Sequence, residues 1–477
     1  MHVPSESTPN SNFPWEAKSN SMRIAIDMQG AQGSGRDRGI GRYTLALADG
    51  LVRMNKRHEI LLVLNGLFPE SVASISAYFR GRLPQENILT WTSPGPLDFI
   101  SGSKNAWRRQ TAELVREAFI ATLNPDVVLV SNMIEGLVDN CVTSIGIFSE
   151  NTDVAVIVYD LIPLLNKEAY FTSPQYGRWY LEKLKHLKGG DLFLSISEAS
   201  RIEAIEHAEI SEERIFNIST ATDPKFYESE SAPESTGKLL DHLCIVKPFV
   251  FYCGGSDPRK NLDRLISAYA KLPTSLRETH QLLLVGTIPP QDINALLNHA
   301  AACGLMPSEI AIPGYLEDDF VIALYHACRC FVLPSWHEGF GLPALEAMAC
   351  GAPVIGSNKS SIPEVIGNPD ALFDPFDEQS ISNKIEKVLS DENFRASLIR
   401  RGLAQSRQFS WDLTAQRTFA ILENSVERKS KPPVDLESIL ARLIRSIAEL
   451  PGSPSQADLV ELAEAIDATF PVQAHHT

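Results

Sequence analysis

The chain has 477 residues, 44% of them apolar, which is long enough for two domains with large hydrophobic cores. Its formal net charge of -16 argues against nucleic-acid partners, because surfaces that follow a phosphate backbone carry a basic excess. Seven cysteines without a Cys-x-x-Cys pair argue against a disulfide framework or a zinc ribbon, so we expect a cytoplasmic protein.

The first half of the chain alternates strand and helix patterns after a polar N-terminus. Residues 1–21 are rich in Ser, Asn and Pro and predict a disordered leader. A buried strand at 22–28 precedes a glycine-rich loop and a helix pattern at 42–48. Further strand patterns follow at 59–64, 126–130, 154–158 and 191–196. The alternation predicts a parallel sheet covered on both faces, and hence a Rossmann-like domain at 22–237.

A second alternating series predicts a second Rossmann-like domain at residues 238–410. Its strand patterns lie at 249–252, 281–285, 310–312, 330–333 and 353–355. The boundary falls in the polar stretch 228–237. We therefore expect an α/β protein whose two domains face each other across a cleft.

The C-terminal region predicts helices only. Residues 411–428 have the length and apolar spacing of one helix, and 429–477 form a helical extension. Within the extension, 436–450 and 457–468 are amphipathic helix patterns on either side of a Pro-Gly-Ser-Pro turn. These helices could cap the protein, mediate an oligomer, or begin a longer region. No apolar run reaches the roughly 18 residues of a spanning helix, so any membrane contact is expected to be peripheral.

The glycine-rich, basic loop at residues 30–42 is the first candidate site. A dinucleotide fingerprint that starts at Gly33 requires glycine at position 38, where Arg38 stands, so a nicotinamide cofactor is not expected. The length and charge of the loop favour a lid over phosphates. The alternative is a surface loop with solvated arginines.

Arg259 and Lys260 follow the first strand of the second domain, at the predicted start of a helix. Two adjacent cations there can neutralise a diphosphate. Cations in a first helical turn oppose the helix dipole unless an anion lies nearby, which favours this function over an ordinary helix start.

Glu338 and Glu346 lie on either side of a Gly-Phe-Gly-Leu-Pro turn that follows an apolar strand pattern. A carboxylate at a strand end and another one turn into a helix can face one crevice, where open α/β sheets bind ligands. The motif offers carboxylates for sugar hydroxyls and helix N-terminal amides for phosphate. The alternative is that both residues are exposed acids around a loop. The functional assignment of Glu346 is the more ambiguous of the two, because a carboxylate early in a helix also stabilises the helix.

The sequence lacks the motifs of metal-dependent, P-loop and nucleophile-elbow sites. His337 has no His-x-x-x-His or His-Glu-x-x-His partner, and no Asp-x-Asp pair is present to clamp a divalent metal against a diphosphate. P-loop and nucleophile-elbow motifs are also missing. We therefore expect neither a metal nor a bound cofactor.

Together these segments resemble the retaining GT-B glycosyltransferases of glycosyltransferase family four, over residues 22–426. The specific element is the Glu338 and Glu346 pair within Ser-Trp-His-Glu-Gly-Phe-Gly-Leu-Pro, supported by Asp-Pro-Arg-Lys-Asn at 257–261. Weaker matches lie at 39–43, 195–198 and 314–316. In this family, the helix that corresponds to 411–426 crosses back to the first domain.

The resemblance implies a nucleotide-sugar donor as co-substrate and a role for each motif. Glu338, Lys260 and Arg259 would form the catalytic group, with Glu338 on the donor sugar and the cations on the diphosphate. Glu346 would hold the ribose. Donor contacts would also come from Gly339, Phe340, Gly341, Leu342, Gly39 and Gly41. In such enzymes the leaving phosphate takes the proton of the incoming hydroxyl, so stabilising charge on the diphosphate is the main demand.

One position departs from the family. Many members carry a histidine before Asp-Leu-Ile-Pro, where this chain has Tyr159 followed by Asp160. A phenol has a reference pKa of about 10 and is a poor proton carrier at neutral pH. Either the histidine has only a positional role, or this domain is altered. Tyr159 and Asp160 are expected to contact donor or acceptor.

The Gly-Ile-Gly-Arg-Tyr and Asp-Leu-Ile-Pro segments look most like bacterial mannosyltransferases of surface-polysaccharide (O-antigen type) assembly. This implies hexose transfer from GDP-mannose to a glycan or lipid-linked glycan at the inner face of the membrane. Alternatives are a UDP-sugar donor, a GT-B phosphorylase or epimerase, and a non-catalytic scaffold. The basic stretch 103–109, in a helix that continues to Arg116, could contact a lipid-linked acceptor or a membrane, or be a solvated helix face.

Overall fold

The computed structural model describes residues 21–150, 152–228, 237, 240, 243, 245–426 and 434–470. The chain divides into two compact units. Unit 1 comprises Met1–Ile157, Thr172–Leu194 and Ala415–Thr477, and unit 2 comprises Val158–Phe171 and Ser195–Thr414. The predicted leader lies outside the described residues except for its last position, as does most of the predicted boundary at 228–237. The predicted domain limits stay predictions.

The first sheet is built from seven strands: β1 (Arg23–Asp27), β2 (Glu59–Asn65), β3 (Ile88–Trp91), β4 (Val127–Val130), β5 (Asp153–Val158), β6 (Leu192–Ser195) and β7 (Ile215–Asn217). Their order is β3-β2-β1-β4-β5-β6-β7. The pairings of β1 with β2 and β4, of β2 with β3 and of β4 with β5 are parallel. Apolar residues fill the central strands without interruption, because both faces of such a sheet are covered.

The helices of this half of the chain are α1 (Gly39–Met54), α2 (Pro69–Phe79), α3 (Ala106–Thr122), α4 (Ile162–Leu165), α5 (Lys167–Tyr170), α6 (Pro174–Leu187), α7 (Glu198–Ala208) and α8 (Lys225–Glu228). Helix α1 presents Tyr43, Leu47 and Leu51 to the interior, at spacings of four residues.

The second sheet contains β8 (Phe249–Cys253), β9 (Gln281–Val285), β10 (Ile310–Gly314), β11 (Cys330–Leu333), β12 (Val354–Ser357) and β13 (Leu372–Phe373). All of its pairings are parallel, in the order β10-β9-β8-β11-β12-β13. Its helices are α9 (Leu262–Ala270), α10 (Thr274–Thr279), α11 (Pro290–Ala302), α12 (Asp318–Ala327), α13 (Leu342–Ala349), α14 (Ile362–Ile366), α15 (Glu378–Ser390) and α16 (Glu392–Ser406). The strand order reverses between β8 and β11, and open α/β sheets bind ligands beyond the carboxyl ends of the strands at such a point.

The predicted α/β architecture is confirmed, with two parallel sheets covered by helices. Each predicted strand is present, with ends that differ by one or two residues. Three strands were not predicted, and all of them, β3, β7 and β13, lie at sheet edges. They contain four, three and two residues and are only partly buried, so they lack the continuous buried apolar run that marks the central strands.

Three further helices close the described chain: α17 (Trp411–Ser425), α18 (Leu436–Ala448) and α19 (Gln456–Thr469). Helix α18 buries Leu443 and Ile447, and the Thr469 hydroxyl accepts a hydrogen bond from the Thr92 amide at 3.0 Å. In α17, Phe419 stacks on His58. The predicted helices of the extension therefore exist, and they pack on unit 1.

The basic stretch before and within α3 is engaged inside unit 1. Arg108 pairs with Asp458 of α19, and the Arg109 guanidinium lies 4.5 Å from the centre of the Phe99 ring. Arg116 is buried against Asp27. These contacts do not support a lipid-facing role for the stretch. Among the described helices, none is long and apolar enough to cross a membrane.

Replacement of Phe251, at the centre of β8, tests the packing of the second sheet. Its side chain is fully buried, and its ring lies 5.4 Å from Tyr325 and 5.8 Å from Phe331. We expect Phe251→Ala to lower the free energy of unfolding by about 3–5 kcal/mol through lost burial and a cavity. Equilibrium urea denaturation measures the change. The control Phe320→Ala, on an exposed position of α12, should cost less than about 1 kcal/mol; equal losses would contradict the assigned packing.

Candidate active site

The predicted site residues of unit 2 come from two neighbouring strands. β8 leads into the segment that carries Arg259 and Lys260, and β11 leads into the segment that carries Glu338. β8 and β11 pair in parallel at the point where the strand order reverses. Parallel strands end at the same edge of a sheet, so the fold brings these two segments together there.

Arg259 and Lys260 lie in a short 3-10 turn, Pro258–Lys260, which we call the cation turn. Asp257 caps it, because its carboxylate accepts a hydrogen bond from the Arg259 amide at 3.2 Å. The expectation that the two cations open a helix was wrong. Asn261 adopts a left-handed conformation (φ 63°) that ends the turn, and α9 begins only afterwards. The helix-dipole argument therefore does not apply to these cations.

Asn261 also ties the cation turn to the rest of the second sheet. Its side-chain amide donates to the Pro334 carbonyl at 3.1 Å and to the Pro375 carbonyl at 2.7 Å. The Trp336 amide donates to the Arg259 carbonyl at 3.0 Å. The cation turn is thereby joined by hydrogen bonds to the segment that leads to Glu338.

Glu338 lies between the two cations. Its Oε1 is 2.6 Å from Lys260 Nζ, and its Oε2 is 2.7 Å from Arg259 Nη1. Only 7% of Glu338 is exposed, and burial by itself raises the pKa of a carboxyl group. Lys260 and Arg259 outweigh that effect and lower the pKa of Glu338 to about 2. The carboxylate is therefore ionised at neutral pH, and the three groups together carry one net positive charge.

The glycine turn after Glu338 leads directly into α13. Ser361 Oγ donates to the carbonyls of Glu338 and Phe340, which fixes the path of the turn. Gly341 has φ 100°, a conformation that favours glycine, and α13 begins at Leu342. Within the described chain no side chain caps this helix. Its first turn nevertheless offers few amides to an anion, because Pro343 has no N–H and the Ala344 amide donates to the Gly341 carbonyl at 3.0 Å.

Glu346 lies one turn into α13, as the sequence predicts. Its carboxylate accepts a hydrogen bond from the Tyr325 hydroxyl at 3.1 Å. The same carboxylate affects the pKa of Cys253, at the end of β8. Burial is the larger cause and the negative charge of Glu346 the next, and together they raise the pKa of the Cys253 thiol to about 12. Glu346 thus lies near the end of β8. Its assignment to the ribose stays a prediction.

Tyr159 and Asp160 lie directly against Gly339. A Cβ atom on Gly339 would lie 2.9 Å from Asp160 Oδ2 and 3.1 Å from the Tyr159 carbonyl. Ser200 Oγ donates to the Tyr159 carbonyl at 2.5 Å and is 3.1 Å from the Gly339 carbonyl. Burial raises the pKa of Asp160. A side chain at position 339 would therefore crowd the Asp160 carboxylate and the Tyr159 carbonyl.

Three polar side chains of this site were missed by the sequence reasoning. Glu203 of α7 pairs with His337 Nε2 at 2.7 Å, and Asn166 lies 3.3 Å from His337 Nδ1. Tyr170 of α5 donates to Asp257 Oδ1 at 2.6 Å. Asn166 and Tyr170 follow the Asp-Leu-Ile-Pro segment and Glu203 follows the match at 195–198, but no motif marks the three residues themselves. Both ring nitrogens of His337 are engaged.

Comparison with known proteins assigns the family. Residues 246–405 match the family described as "Glycosyl transferases group 1". The serotype-specific mannosyltransferase WbdA of Escherichia coli is 35% identical over 450 residues, which cover 93% of this chain and 53% of WbdA. This chain belongs to the group 1 glycosyl transferases. The O-antigen chain mannosyltransferase B of Escherichia coli is 37% identical over 254 residues, 52% of this chain and 66% of that protein.

The chain spans about half the length of the WbdA sequences that it matches. Among solved structures, Anabaena HepE with UDP and glucose has a TM-score of 0.58 and 20% identity, over 83% of this chain and 98% of HepE. Sucrose-phosphate synthase from Thermosynechococcus elongatus has a TM-score of 0.60 and 19% identity, over 83% of this chain and 97% of the synthase. This group 1 glycosyl transferase has the GT-B fold.

Gly39 and Gly41 lie in unit 1, at the start of α1. A Cβ atom on Gly41 would lie 2.0 Å from the Arg36 carbonyl oxygen, whereas one on Gly39 would meet nothing within 4 Å. Gly41 is therefore needed to close the glycine-rich loop onto the helix. The predicted contact of both glycines with phosphates stays a prediction.

One group of side chains in the described part of the chain has metal-ligand spacing: Glu135, Asp139 and Cys141 in unit 1. Burial raises the pKa of Glu135 to about 8 and raises that of the Cys141 thiol. Asp139 accepts hydrogen bonds from the amides of Ser34 and Cys141. A metal ion bound here would have to displace the protons of the Glu135 carboxyl and the Cys141 thiol.

The lowered pKa of Glu338 predicts a pH effect on stability. The pKa is about 2 in the folded protein, against an ordinary value of 4.5. The stabilisation is therefore complete above about pH 4.5 and is lost as the pH falls toward about 2. We expect the difference in free energy of unfolding between the wild type and Glu338→Gln, which cannot titrate, to shrink from pH 5 to pH 3. Urea denaturation at both values tests this; a constant difference would show that the carboxylate is not held by the two cations.

Proposed function

We propose that this protein is a retaining, metal-independent glycosyltransferase that moves a hexose from a nucleotide sugar to a glycan or lipid-linked glycan in polysaccharide biosynthesis. The observation that carries the proposal is the ionised Glu338 between Arg259 and Lys260, at the strand-order reversal of the second sheet. Mannose from GDP-mannose is the first donor to test, because the E. coli relatives are named as mannosyltransferases.

The charges of the site suit a nucleoside diphosphate as leaving group. Arg259 and Lys260 are two adjacent cations that can bind a diphosphate, and the carboxylates that face them are Glu338 and, 3.7 Å from Arg259 Nε, Asp257. On donor binding, the diphosphate takes Arg259 and Lys260 as partners. Glu338, released from both, accepts hydrogen bonds from hydroxyls of the donor sugar.

The proposed reaction needs no nucleophile from the protein. The bond from the anomeric carbon to the phosphate oxygen breaks, the acceptor oxygen bonds to that carbon on the same face, and its proton passes to the leaving phosphate. Arg259 and Lys260 stabilise the charge that develops on the diphosphate, in a preorganised and largely buried setting. Tyr159 and Asp160, beside Gly339, are proposed contacts for the donor or the acceptor.

The proposed cellular setting is a reducing compartment. We place the protein in the cytoplasm, at the inner face of the membrane where a lipid-linked acceptor would be presented. The free cysteines among the described residues are consistent with a reducing compartment. The exposed sides of α18 and α19 are proposed to mediate any oligomer.

A thermal-shift panel tests the donor assignment. It compares GDP-mannose, UDP-glucose, UDP-N-acetylglucosamine, GDP and UDP, because a ligand that binds only the folded state raises the melting temperature. We expect GDP-mannose and GDP to give the largest shifts. Larger shifts with the uridine nucleotides would overturn the donor choice, and no shift with any nucleotide would favour the non-catalytic scaffold.

The role of Lys260 can be measured directly. We expect Lys260→Ala to lower turnover at saturating donor by roughly 10²–10³-fold, the range for loss of one preorganised charge contact. The control Lys271→Ala removes an exposed lysine of the same unit that pairs with Glu378, and should retain wild-type turnover. Near-wild-type turnover of Lys260→Ala would refute the assignment of Lys260 to the diphosphate.

A further inference from the structure

One short segment of unit 2, which contains α4 and α5, contacts both groups that hold Arg259. Asn166 lies between these helices, and Tyr170 ends α5. The Tyr170 amide donates to the Asn166 carbonyl at 3.1 Å, so the two residues lie one helical turn apart and share a face. Both are half-buried, whereas residues 167–169 between them are exposed. The inward face of this turn therefore presents Asn166 and Tyr170 to the site.

Tyr170 acts on the Asp257 side of Arg259. Asp257 Oδ1 accepts from the Tyr170 hydroxyl at 2.6 Å and from the Arg259 amide at 3.2 Å, and it lies 3.7 Å from Arg259 Nε. Burial and the hydrogen bond to Asp257 raise the pKa of Tyr170, so its hydroxyl stays protonated and donates. The phenol thus binds the carboxylate that caps the cation turn, and its hydroxyl also lies within hydrogen-bonding reach of the Arg259 side chain.

Asn166 acts on the opposite side of Arg259. Its amide nitrogen donates to the Ile162 carbonyl at 3.0 Å and lies 3.3 Å from His337 Nδ1, while Glu203 holds the other ring nitrogen of His337. The His337 carbonyl accepts from Arg259 Nη1 at 3.0 Å. A fixed His337 therefore fixes an acceptor for the guanidinium, next to Glu338.

We propose that Asn166 and Tyr170 are positioning residues, which hold the Arg259 guanidinium through His337 and Asp257 in the orientation that receives the donor diphosphate. This inference rests on the proposed function, because it takes the diphosphate as the ligand of Arg259. Neither residue touches the diphosphate. Asn166 acts on His337, and Tyr170 acts on Asp257. Without these contacts, the Arg259 guanidinium would be able to turn toward Asp257.

The test is the affinity of the full chain for nucleoside diphosphates, measured by isothermal titration calorimetry with GDP and UDP. We expect Tyr170→Phe to raise the Kd roughly tenfold, the range for one hydrogen bond to a charged group, while one site per chain remains. A purely structural role would lower the number of sites or the melting temperature and leave the Kd of the folded fraction unchanged. Asn166→Leu should raise the Kd in the same way.

The matched control is Tyr227→Phe. Tyr227 is also a half-buried tyrosine of unit 2, and its hydroxyl donates to the carbonyls of Ser406 and Phe409. Its loss should leave the Kd unchanged. In an Arg259→Ala background, Tyr170→Phe should change the Kd by less than about twofold, because the residue through which it acts is gone.

The outcomes separate the two proposals. If the wild type binds neither GDP nor UDP, the proposed function fails and the inference fails with it. If the wild type binds and Tyr170→Phe has the same Kd, the positioning role is refuted while the proposed function stands. A full tenfold effect of Tyr170→Phe in the Arg259→Ala background would also refute it, because the hydroxyl would then act by a route other than Arg259.

Discussion

The candidate site depends on one buried electrostatic arrangement, the ionised carboxylate of Glu338 between Arg259 and Lys260. A buried carboxylate is costly unless it is paired, and this one has two cations within 2.7 Å. The same arrangement stores positive charge where an anionic ligand would bind. If a diphosphate replaces Glu338 as partner of the cations, the carboxylate becomes available to the sugar. The same three side chains would then serve the ligand-free and the ligand-bound protein, with exchanged partners.

The surrounding structure keeps the three charged groups in place by backbone constraints. Asn261 in its left-handed conformation ends the cation turn and bonds to the carbonyls of two neighbouring loops. Gly339 leaves room for the Asp160 side chain and the Tyr159 carbonyl, which a Cβ atom at this position would crowd. Asp257 and His337, held by Tyr170 and Asn166, border the Arg259 guanidinium. The charged groups are therefore held by loops that start at several strands, which is how open α/β folds build precise sites.

The central strands were predictable because they are buried on both faces and consist of unbroken apolar runs, as in β9 and β11. The short edge strands have no such run, so their pairing depends on a neighbouring strand that the local sequence does not reveal. The sequence places the cation turn at the start of a helix because Pro258 suits an early helical position. The left-handed Asn261 that separates them depends on distant carbonyl acceptors.

By itself, the sequence determined the α/β class, the family resemblance and the charged groups Arg259, Lys260, Glu338 and Glu346, because these follow from periodicity and local motifs. Only the tertiary structure decided which of these groups are partners. It paired Glu338 with both cations and placed Glu346 beside Tyr325. It also recruited Asn166, Tyr170 and Glu203 from segments far along the chain. The physical reason is that ion pairs and hydrogen bonds act over about 3 Å in space, and contacts between distant segments exist only once the sheet has brought strand ends together.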